Sequence, residues 1–152
     1  MSTIKKPIVI VGGGFAGINA ALNLKAINSS IPILVIDSQS KFIFKPLLYE
    51  VLSNEIKSWE VTPYFDTIFS EAGIAFLRNR VTYIDLEEKF VKCENNFVVE
   101  FEFLILSTGS LNNNFSIKGV DENCYFFNNN HEQDKLKVFL NQSSYDDLNK
   151  EY

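Results

Sequence analysis

The fold is decided by the stretch Val9-Ile10-Val11-Gly12-Gly13-Gly14-Phe15-Ala16-Gly17, which leads through residues 18–32 to Ile33-Leu34-Val35-Ile36-Asp37. An apolar strand, a glycine-rich turn, a helix and a second apolar strand that ends in an acid follow one another. Three of the glycines fit G-x-G-x-x-G, and the acid lies about 20 residues further on. Together these features predict a Rossmann-like unit that binds the diphosphate of a dinucleotide.

Each glycine of this fingerprint has its own physical reason. Gly12 permits the tight turn, Gly14 leaves room for a diphosphate against the backbone, and Gly17 lets the helix pack closely on the strand. The first N–H groups of the helix attract the diphosphate. Asp37 can accept hydrogen bonds from a ribose 2′-hydroxyl, and its charge would repel a 2′-phosphate. The predicted contacts in this part of the chain are Gly12, Gly13, Gly14, Phe15, Ala16, Gly17, Asp37 and Ser38. The fingerprint alone leaves NAD and FAD open.

Composition limits the other classes of function. The chain has 152 residues, 46% of them hydrophobic, which is enough for one sizeable core, and its net charge of −5 argues against a nucleic-acid surface. Cys93, Cys124 and His131 form neither a metal motif nor a Cys-x-x-Cys pair, so we expect no metal and reduced thiols in a cytoplasmic protein. No run approaches the about 20 apolar residues of a membrane-spanning helix.

Periodicity places the helices. Phe15, Ile18, Leu22 and Ala26 recur at helical spacing and predict the face of the first helix that lies on the sheet. A second helix is expected to begin with Thr62 as N-cap and Pro63 at the first position, and to end before Gly73. One further amphipathic helix is expected at residues 131–140, with an apolar face of Leu136, Phe139 and Leu140.

Short apolar runs place the remaining strands. A third parallel strand is expected at residues 74–77, an antiparallel meander at residues 81–85, 90–93 and 97–100, and a buried strand at residues 103–106. The last strand leads into the small-residue turn Ser107-Thr108-Gly109. Between the second and third parallel strands lies the apolar stretch Phe42-Ile43-Phe44-Lys45-Pro46-Leu47-Leu48-Tyr49-Glu50, in which Pro46 argues against a central strand. This stretch either lines a cofactor or fills a core.

The motifs as a set resemble those of the type II NADH:quinone oxidoreductases, flavoproteins of the pyridine nucleotide-disulfide reductase-like superfamily. The segments that carry the resemblance are Gly12-Gly13-Gly14-Phe15-Ala16-Gly17, Phe44-x-Pro46-Leu47-Leu48-Tyr49-Glu50, Val81-x-x-Ile84-Asp85-Leu86-Glu87 and Leu104-Ile105-Leu106-Ser107-Thr108-Gly109. The resemblance covers essentially the whole chain, most firmly up to Gly109. It implies an α/β, three-layer, Rossmann-like FAD-binding domain in which a parallel sheet is joined by an antiparallel β-meander.

The resemblance also implies FAD as the cofactor and further contacts with it. The segment Pro46, Leu47 and Leu48 would lie near the isoalloxazine, and Val81 would contact the adenine through its backbone. Ser107, Thr108 and Gly109 would mark where the chain leaves the flavin domain, and Thr108 and Gly109 are included among the cofactor contacts. The implied reaction is hydride transfer from NADH to the flavin, followed by reduction of a quinone. No catalytic acid or base is demanded by it, and none is assigned.

In one respect the sequence departs from this family pattern. Four of its seven glycines belong to the first fingerprint, so a second G-x-G-x-x-G for NADH is absent from these 152 residues. No Gly-Asp pair for the flavin ribityl–phosphate region occurs either. We therefore expect residues 1–111 to be the N-terminal part of the FAD-binding domain, and residues 112–152 a polar linker and the start of the NADH-binding domain. This expectation makes the fold incomplete relative to the full-length family, whose members lie peripherally on a membrane.

Three readings of the function remain open. The first is the flavin-domain portion of an NADH:quinone oxidoreductase, inactive alone and open to a complementing C-terminal chain. The second is a truncated, non-catalytic dinucleotide-binding or partner-assembly module. The third is an NAD-dependent dehydrogenase, which the meander and the Ser107-Thr108-Gly109 turn disfavour.

Overall fold

In a computed structural model, residues 6–127 and 135–140 are described. The chain divides into two compact units, the first made of residues 1–42 and 63–109 and the second of residues 43–62 and 110–152. The strands, in chain order, are β1 Ile8–Val11, β2 Ile33–Asp37, β3 Ala75–Arg78, β4 Val81–Asp85, β5 Phe90–Cys93, β6 Val98–Glu100 and β7 Phe103–Leu106. The α-helices are α1 Phe15–Ile27, α2 Leu48–Leu52, α3 Phe65–Ser70 and α4 Val120–Asn123.

The first unit has three layers. A parallel sheet in the order β3-β2-β1-β7 lies at its centre, with Ile8 of β1 opposite both Ile33 of β2 and Phe103 of β7. On one face the sheet packs against α1 and α3, and on the other against the antiparallel sheet β4-β5-β6. The central strands are buried on both faces, which explains their continuous apolar runs. The predicted α/β class with its meander is confirmed.

Helix α1 packs on the sheet through small residues, so the face predicted for it is wrong in part. Gly17 and Ala21 are its buried residues, with Ile18 half-buried beside them. Phe15 and Leu22 are 49% and 38% exposed, and Ala26 is exposed as well. Small side chains bring the helix close to the sheet, and at that distance the larger residues lie at the margins of the contact.

Helix α3 begins later than its sequence predicts. It runs from Phe65 with Tyr64 as N-cap, and no side chain caps it. Thr62 instead ends a 3-10 helix at Ser58–Val61, where its hydroxyl donates to the Ser58 carbonyl at 2.9 Å. The hydroxyl that was expected to cap α3 is thus engaged with the turn before it. Phe65 and Phe69 of α3 are buried against β3, whose position agrees with the prediction.

Strand β7 is placed as expected, but it is not buried. Among the described residues it pairs only with β1, and Phe103 and Leu106 are 64% and 59% exposed. The exposed residues are the two ends of the strand, whereas Leu104 and Ile105 between them are half-buried, one on each face of the sheet. The predicted burial of residues 103–106 is therefore wrong.

The second unit is built around an apolar cluster of its own. Leu48, Val51 and Val61 are buried, and the half-buried side chains packed on them are Ile43, Phe44, Leu47, Ile56 and Phe127. The Phe44 N–H donates to the Val61 carbonyl at 2.8 Å, and this hydrogen bond joins the two ends of the segment 43–62. Residues 135–140 are helical, as expected, with Leu136 half-buried and Phe139 and Leu140 exposed. Residues 131–134 of that predicted helix lie outside the described residues.

Candidate nucleotide-binding site

Two glycines of the fingerprint are required by the protein itself. Gly12 has φ +102°, and a Cβ there would lie 2.3 Å from the Ser107 carbonyl oxygen. A Cβ on Gly17 would lie 1.9 Å from the Gly12 carbonyl oxygen. Any larger residue would push the turn away from β7 or push α1 away from the turn. The reasons predicted for Gly12 and Gly17, a tight turn and a close helix contact, agree with this geometry.

Gly14 differs from both. A Cβ at Gly14 would meet no atom within 4 Å, and its φ of −70° is open to any residue. Gly14 is the N-cap of α1, no side chain caps this helix, and its first turn contains no acidic residue. An uncapped helix N-terminus presents N–H groups and partial positive charge to solvent. Nothing in the protein therefore requires glycine at this position, and the open space in front of it suits an anion.

Asp37, at the end of β2, joins the glycine turn to the next loop. Its Oδ2 accepts a hydrogen bond from the Gly13 N–H at 2.6 Å, and its Oδ1 accepts one from the Gln39 N–H at 2.8 Å. Each carboxylate oxygen can accept a second hydrogen bond. Asp37 therefore has a role inside the protein and keeps acceptor capacity for a ligand.

A cleft of about 200 Å³ opens where the strands β1, β2 and β3 end. Five of the predicted site residues line it together: Gly12, Asp37, Ser38, Val81 and Thr108. The carboxyl ends of parallel strands are the usual position of a ligand in an open α/β sheet. The cleft also has four lining residues that were not predicted, namely Val11, Ile36, Asn79 and Arg80.

Asn79 and Arg80 could have been found from the sequence, because they lie two and three residues after a predicted parallel strand, at the same edge of the sheet. The Asn79 side chain accepts a hydrogen bond from the Arg80 N–H at 2.8 Å. The Arg80 guanidinium lies 3.4 Å from the Glu94 carboxylate. The backbone N–H of Glu94 also donates to the Arg80 carbonyl, at 2.8 Å. These contacts place one positive charge at the rim of a cleft that also contains the Asp37 carboxylate.

The remaining predicted contacts lie elsewhere. Phe15 and Ala16 form the exposed start of α1, and Gly109, with φ +73°, directly follows Thr108. Pro46, Leu47 and Leu48 belong to the second unit, where Pro46 is exposed, Leu47 half-buried and Leu48 fully buried in the apolar cluster. The roles of these residues stay predictions.

Within residues 6–127 and 135–140, no group of three or more His, Cys, Asp or Glu side chains is placed to hold a metal ion. No helix in this described part of the chain is long and apolar enough to cross a membrane. His131 lies outside the described residues.

Comparison with solved structures agrees with this fold. The sulfide:quinone oxidoreductase from Aquifex aeolicus superposes with a TM-score of 0.84 at 22% sequence identity, over 90% of this chain and 32% of that one. At this identity the likeness concerns the fold alone. The fold of the first unit therefore occurs within a larger protein.

Comparison with curated proteins gives relatives of closer sequence. The alternative NAD(P)H-ubiquinone oxidoreductase C1 of Arabidopsis thaliana is 33% identical over 124 residues, which cover 70% of this chain and 24% of the relative. The type II NADH:quinone oxidoreductase Ndh of Mycobacterium tuberculosis is 31% identical over 107 residues, which cover 68% and 23%. The chain thus spans about a quarter of the length of the curated relatives that it matches.

A family model described as pyridine nucleotide-disulphide oxidoreductase matches residues 6–143. This match takes in the glycine turn, Asp37, the meander and β7. With the relatives above, it confirms the resemblance seen in the sequence. The chain belongs to the pyridine nucleotide-disulphide oxidoreductase family.

Proposed function

We propose that the first unit binds the ADP half of FAD at the glycine turn. The observation that carries the proposal is the open space at Gly14, in front of a helix N-terminus that no side chain caps. The diphosphate would lie at this end of α1, and the adenosine would enter the cleft beside Asp37, Ser38 and Val81. The residues present fit this half of the cofactor, because a cleft, an acceptor for a ribose hydroxyl and a bare helix end adjoin one another.

We propose further that the chain is the FAD-binding portion of an enzyme that oxidises NADH and reduces a quinone. The support is the activity for which its relatives are named, since they are NADH:quinone or NAD(P)H-ubiquinone oxidoreductases. When bound, the flavin would supply the hydride acceptor, while the protein orients it and tunes its electronics. Residues 1–111 then serve FAD, and residues 112–152 lead into a domain for NADH.

The location proposed for the protein is the cytoplasm, at a membrane surface as for its full-length relatives. Both cysteines are free, with Cys93 buried and Cys124 exposed. An exposed free thiol is usual in a reducing compartment and uncommon in an oxidising one. This observation supports the proposal.

The test of nucleotide binding uses Gly14→Asp, with Gly14→Asn as its matched control. Either side chain enters open space, and either is a good N-cap, so both variants should be as stable to urea as the unaltered protein or slightly more stable. Asp adds a negative charge where the diphosphate would lie, whereas Asn fills the same volume without charge. We expect Gly14→Asp to weaken ADP and FAD binding at least tenfold, and Gly14→Asn to weaken it less.

Isothermal calorimetry with ADP and with FAD measures this difference. Equal affinities of all three proteins would contradict a diphosphate at Gly14. No binding by the unaltered protein would contradict the proposed function as a whole.

A further inference from the structure

Two side chains hold the peptide group between Gly12 and Gly13 from opposite sides. The Ser107 hydroxyl donates to the Gly12 carbonyl oxygen at 2.8 Å. The Gly13 N–H donates to the Asp37 Oδ2 at 2.6 Å. The carbonyl and the N–H of a trans peptide point in opposite directions. Ser107 follows β7 and Asp37 ends β2, so the two neighbours of β1 in the sheet together fix the plane of one peptide bond.

Ser107 is joined to β1 by more than this hydrogen bond. Its backbone N–H donates to the Val11 carbonyl at 2.8 Å, and its hydroxyl also lies 3.1 Å from that same oxygen. Its carbonyl oxygen is the atom that excludes a Cβ from Gly12, and its Oγ would lie 2.8 Å from a Cβ on Gly17. The residue thus contacts the end of β1, the turn and the start of α1.

Three consecutive glycines need such contacts to adopt one conformation. Glycine has access to more of φ/ψ space than any other residue, so Gly12, Gly13 and Gly14 would otherwise populate many turns. Rotation of the Gly12–Gly13 peptide changes the path of the chain into Gly14 and the direction of the N–H groups that begin α1. A bound diphosphate gains most from donors whose directions are set before it arrives.

We propose that Ser107 is a positioning residue for nucleotide binding, which acts through the Gly12–Gly13 peptide with Asp37 as its partner. The proposal rests on the proposed function, since it concerns the same diphosphate site. Ser107 does not line the adenosine cleft, although the next residue, Thr108, does. Asp37 lines that cleft, so its substitution would alter both the turn and the ligand contact. A substitution of Ser107 therefore alters the turn without altering a contact with the ligand in the cleft.

The experiment compares Ser107→Ala with Ser70→Ala. The Ser70 hydroxyl also donates to a backbone carbonyl, that of Thr67 at 3.3 Å, but in exposed α3 surface away from the turn. Affinities for ADP and for adenosine are measured by calorimetry, and melting temperatures by circular dichroism. We expect Ser107→Ala to weaken ADP binding about 3- to 10-fold, which is the range of one hydrogen bond. Adenosine binding should stay unchanged, as should both affinities of Ser70→Ala.

Two further variants make the result specific. Ser107→Thr keeps the hydroxyl and should restore most of the ADP affinity. The double variant with Ser107→Ala and Asp37→Asn tests whether the two residues act together. Its fold-loss of ADP affinity should differ from the product of the fold-losses of the two single variants, because both side chains hold one peptide. Equal weakening of ADP and adenosine, or unchanged ADP affinity in Ser107→Ala, would overturn the proposal.

A measurement without ligand covers the case in which Ser107→Ala is poorly folded. Hydrogen exchange of the amides of residues 13–17 should be faster in Ser107→Ala than in Ser107→Thr. Exchange at the same rate in both variants would overturn the proposal. If the unaltered protein binds no ADP, the proposed function and this inference fail together. If it binds ADP in a Gly14-dependent manner and Ser107→Ala has no effect, only the inference fails.

Discussion

The glycines of the turn differ in what they do for the molecule. Gly12 and Gly17 leave no room for a side chain because backbone oxygens lie within 2.3 Å of where their Cβ atoms would be. At Gly12 the left-handed φ adds strain of about 1–3 kcal/mol for other residues. Gly14 has neither restriction. Stability and ligand binding are therefore assigned to different glycines of one motif, and a substitution at Gly14 tests binding without disturbing the fold.

The two cysteines are expected to differ in reactivity. Cys93 lies in the apolar cluster between the parallel sheet and the meander, and burial raises the pKa of its thiol. Cys124 is exposed. Because the thiolate is the reactive form, an aromatic disulfide reagent at pH 8 should titrate one thiol quickly and the second only on unfolding. The Cys124→Ser variant should lose the fast reaction, and two equally fast reactions would contradict the burial of Cys93.

The raised pKa of the Cys93 thiol also determines the direction in which the stability of the protein changes with pH. The folded state holds the Cys93 proton more tightly than the unfolded chain does. The resulting contribution to stability is fully present below the thiol pKa of the unfolded chain, and it is lost as pH rises through the folded value. Urea unfolding of the unaltered protein should show this alkaline loss, and Cys93→Ala should show less of it.

At the scale of elements, the buried surface of α1 and α3 consists of different kinds of residue. Phe69 of α3 is fully buried and lies within ring contact of Phe65 and Phe76. Leu22 of α1 is 38% exposed. We expect Phe69→Ala to lower the free energy of unfolding by about 3–5 kcal/mol, and Leu22→Ala to lower it by less than about 1 kcal/mol. Denaturation of both variants in urea measures the difference, and a larger loss for Leu22→Ala would restore the face predicted from periodicity.

The sequence predicted the strands better than the helix faces, for a physical reason. Strands β1 and β2 are apolar without interruption because both faces of the sheet are covered, and the glycine turn fixes where β1 ends. In α1, apolar residues lie on several sides of the helix. Periodicity therefore marks the large side chains, whereas the residues buried in the contact with the sheet are Gly17 and Ala21, with Ile18 and Leu24 half-buried beside them. The cap of α3 was misplaced because the Thr62 hydroxyl bonds to a carbonyl that only the folded 3-10 turn brings near.

The candidate site was predictable where it follows the family pattern or the end of a strand. Gly12, Asp37, Ser38, Val81 and Thr108 line one cleft, as expected of a single binding site. Two hydrogen bonds of the turn were not predicted: the one that the Gly13 N–H donates to Asp37 and the one that the Ser107 hydroxyl donates to the Gly12 carbonyl. They depend on the pairing of β1 with both β2 and β7, and no local pattern encodes a contact across 95 residues.

At the scale of the whole molecule, these 152 residues hold one nucleotide fingerprint. Hydride transfer requires a nicotinamide held against the flavin, and a second fingerprint that would hold it is not found in these residues. We expect the purified protein, supplied with FAD and a soluble quinone, to oxidise NADH far below about 1 per second, near the low end of enzyme rates. Turnover at that rate from a monomer on a sizing column would contradict this prediction. A C-terminal portion of a relative can be produced separately and added to the assay. If turnover then appears, that portion acts as a complementing chain, which we propose would cover the exposed edge of β7.

The bond between Ser107 and Gly12 has a consequence for the timing of folding during synthesis. Gly12 leaves the ribosome 95 residues before its partner. At about 5–20 residues per second, that interval lasts roughly 5–20 s. During it the nascent chain carries a glycine turn that contacts from Ile36 and Asp37 can reach but the Ser107 hydroxyl cannot. The nucleotide site is thus among the last parts of the first unit to acquire its final shape, although its motif is among the first to be translated.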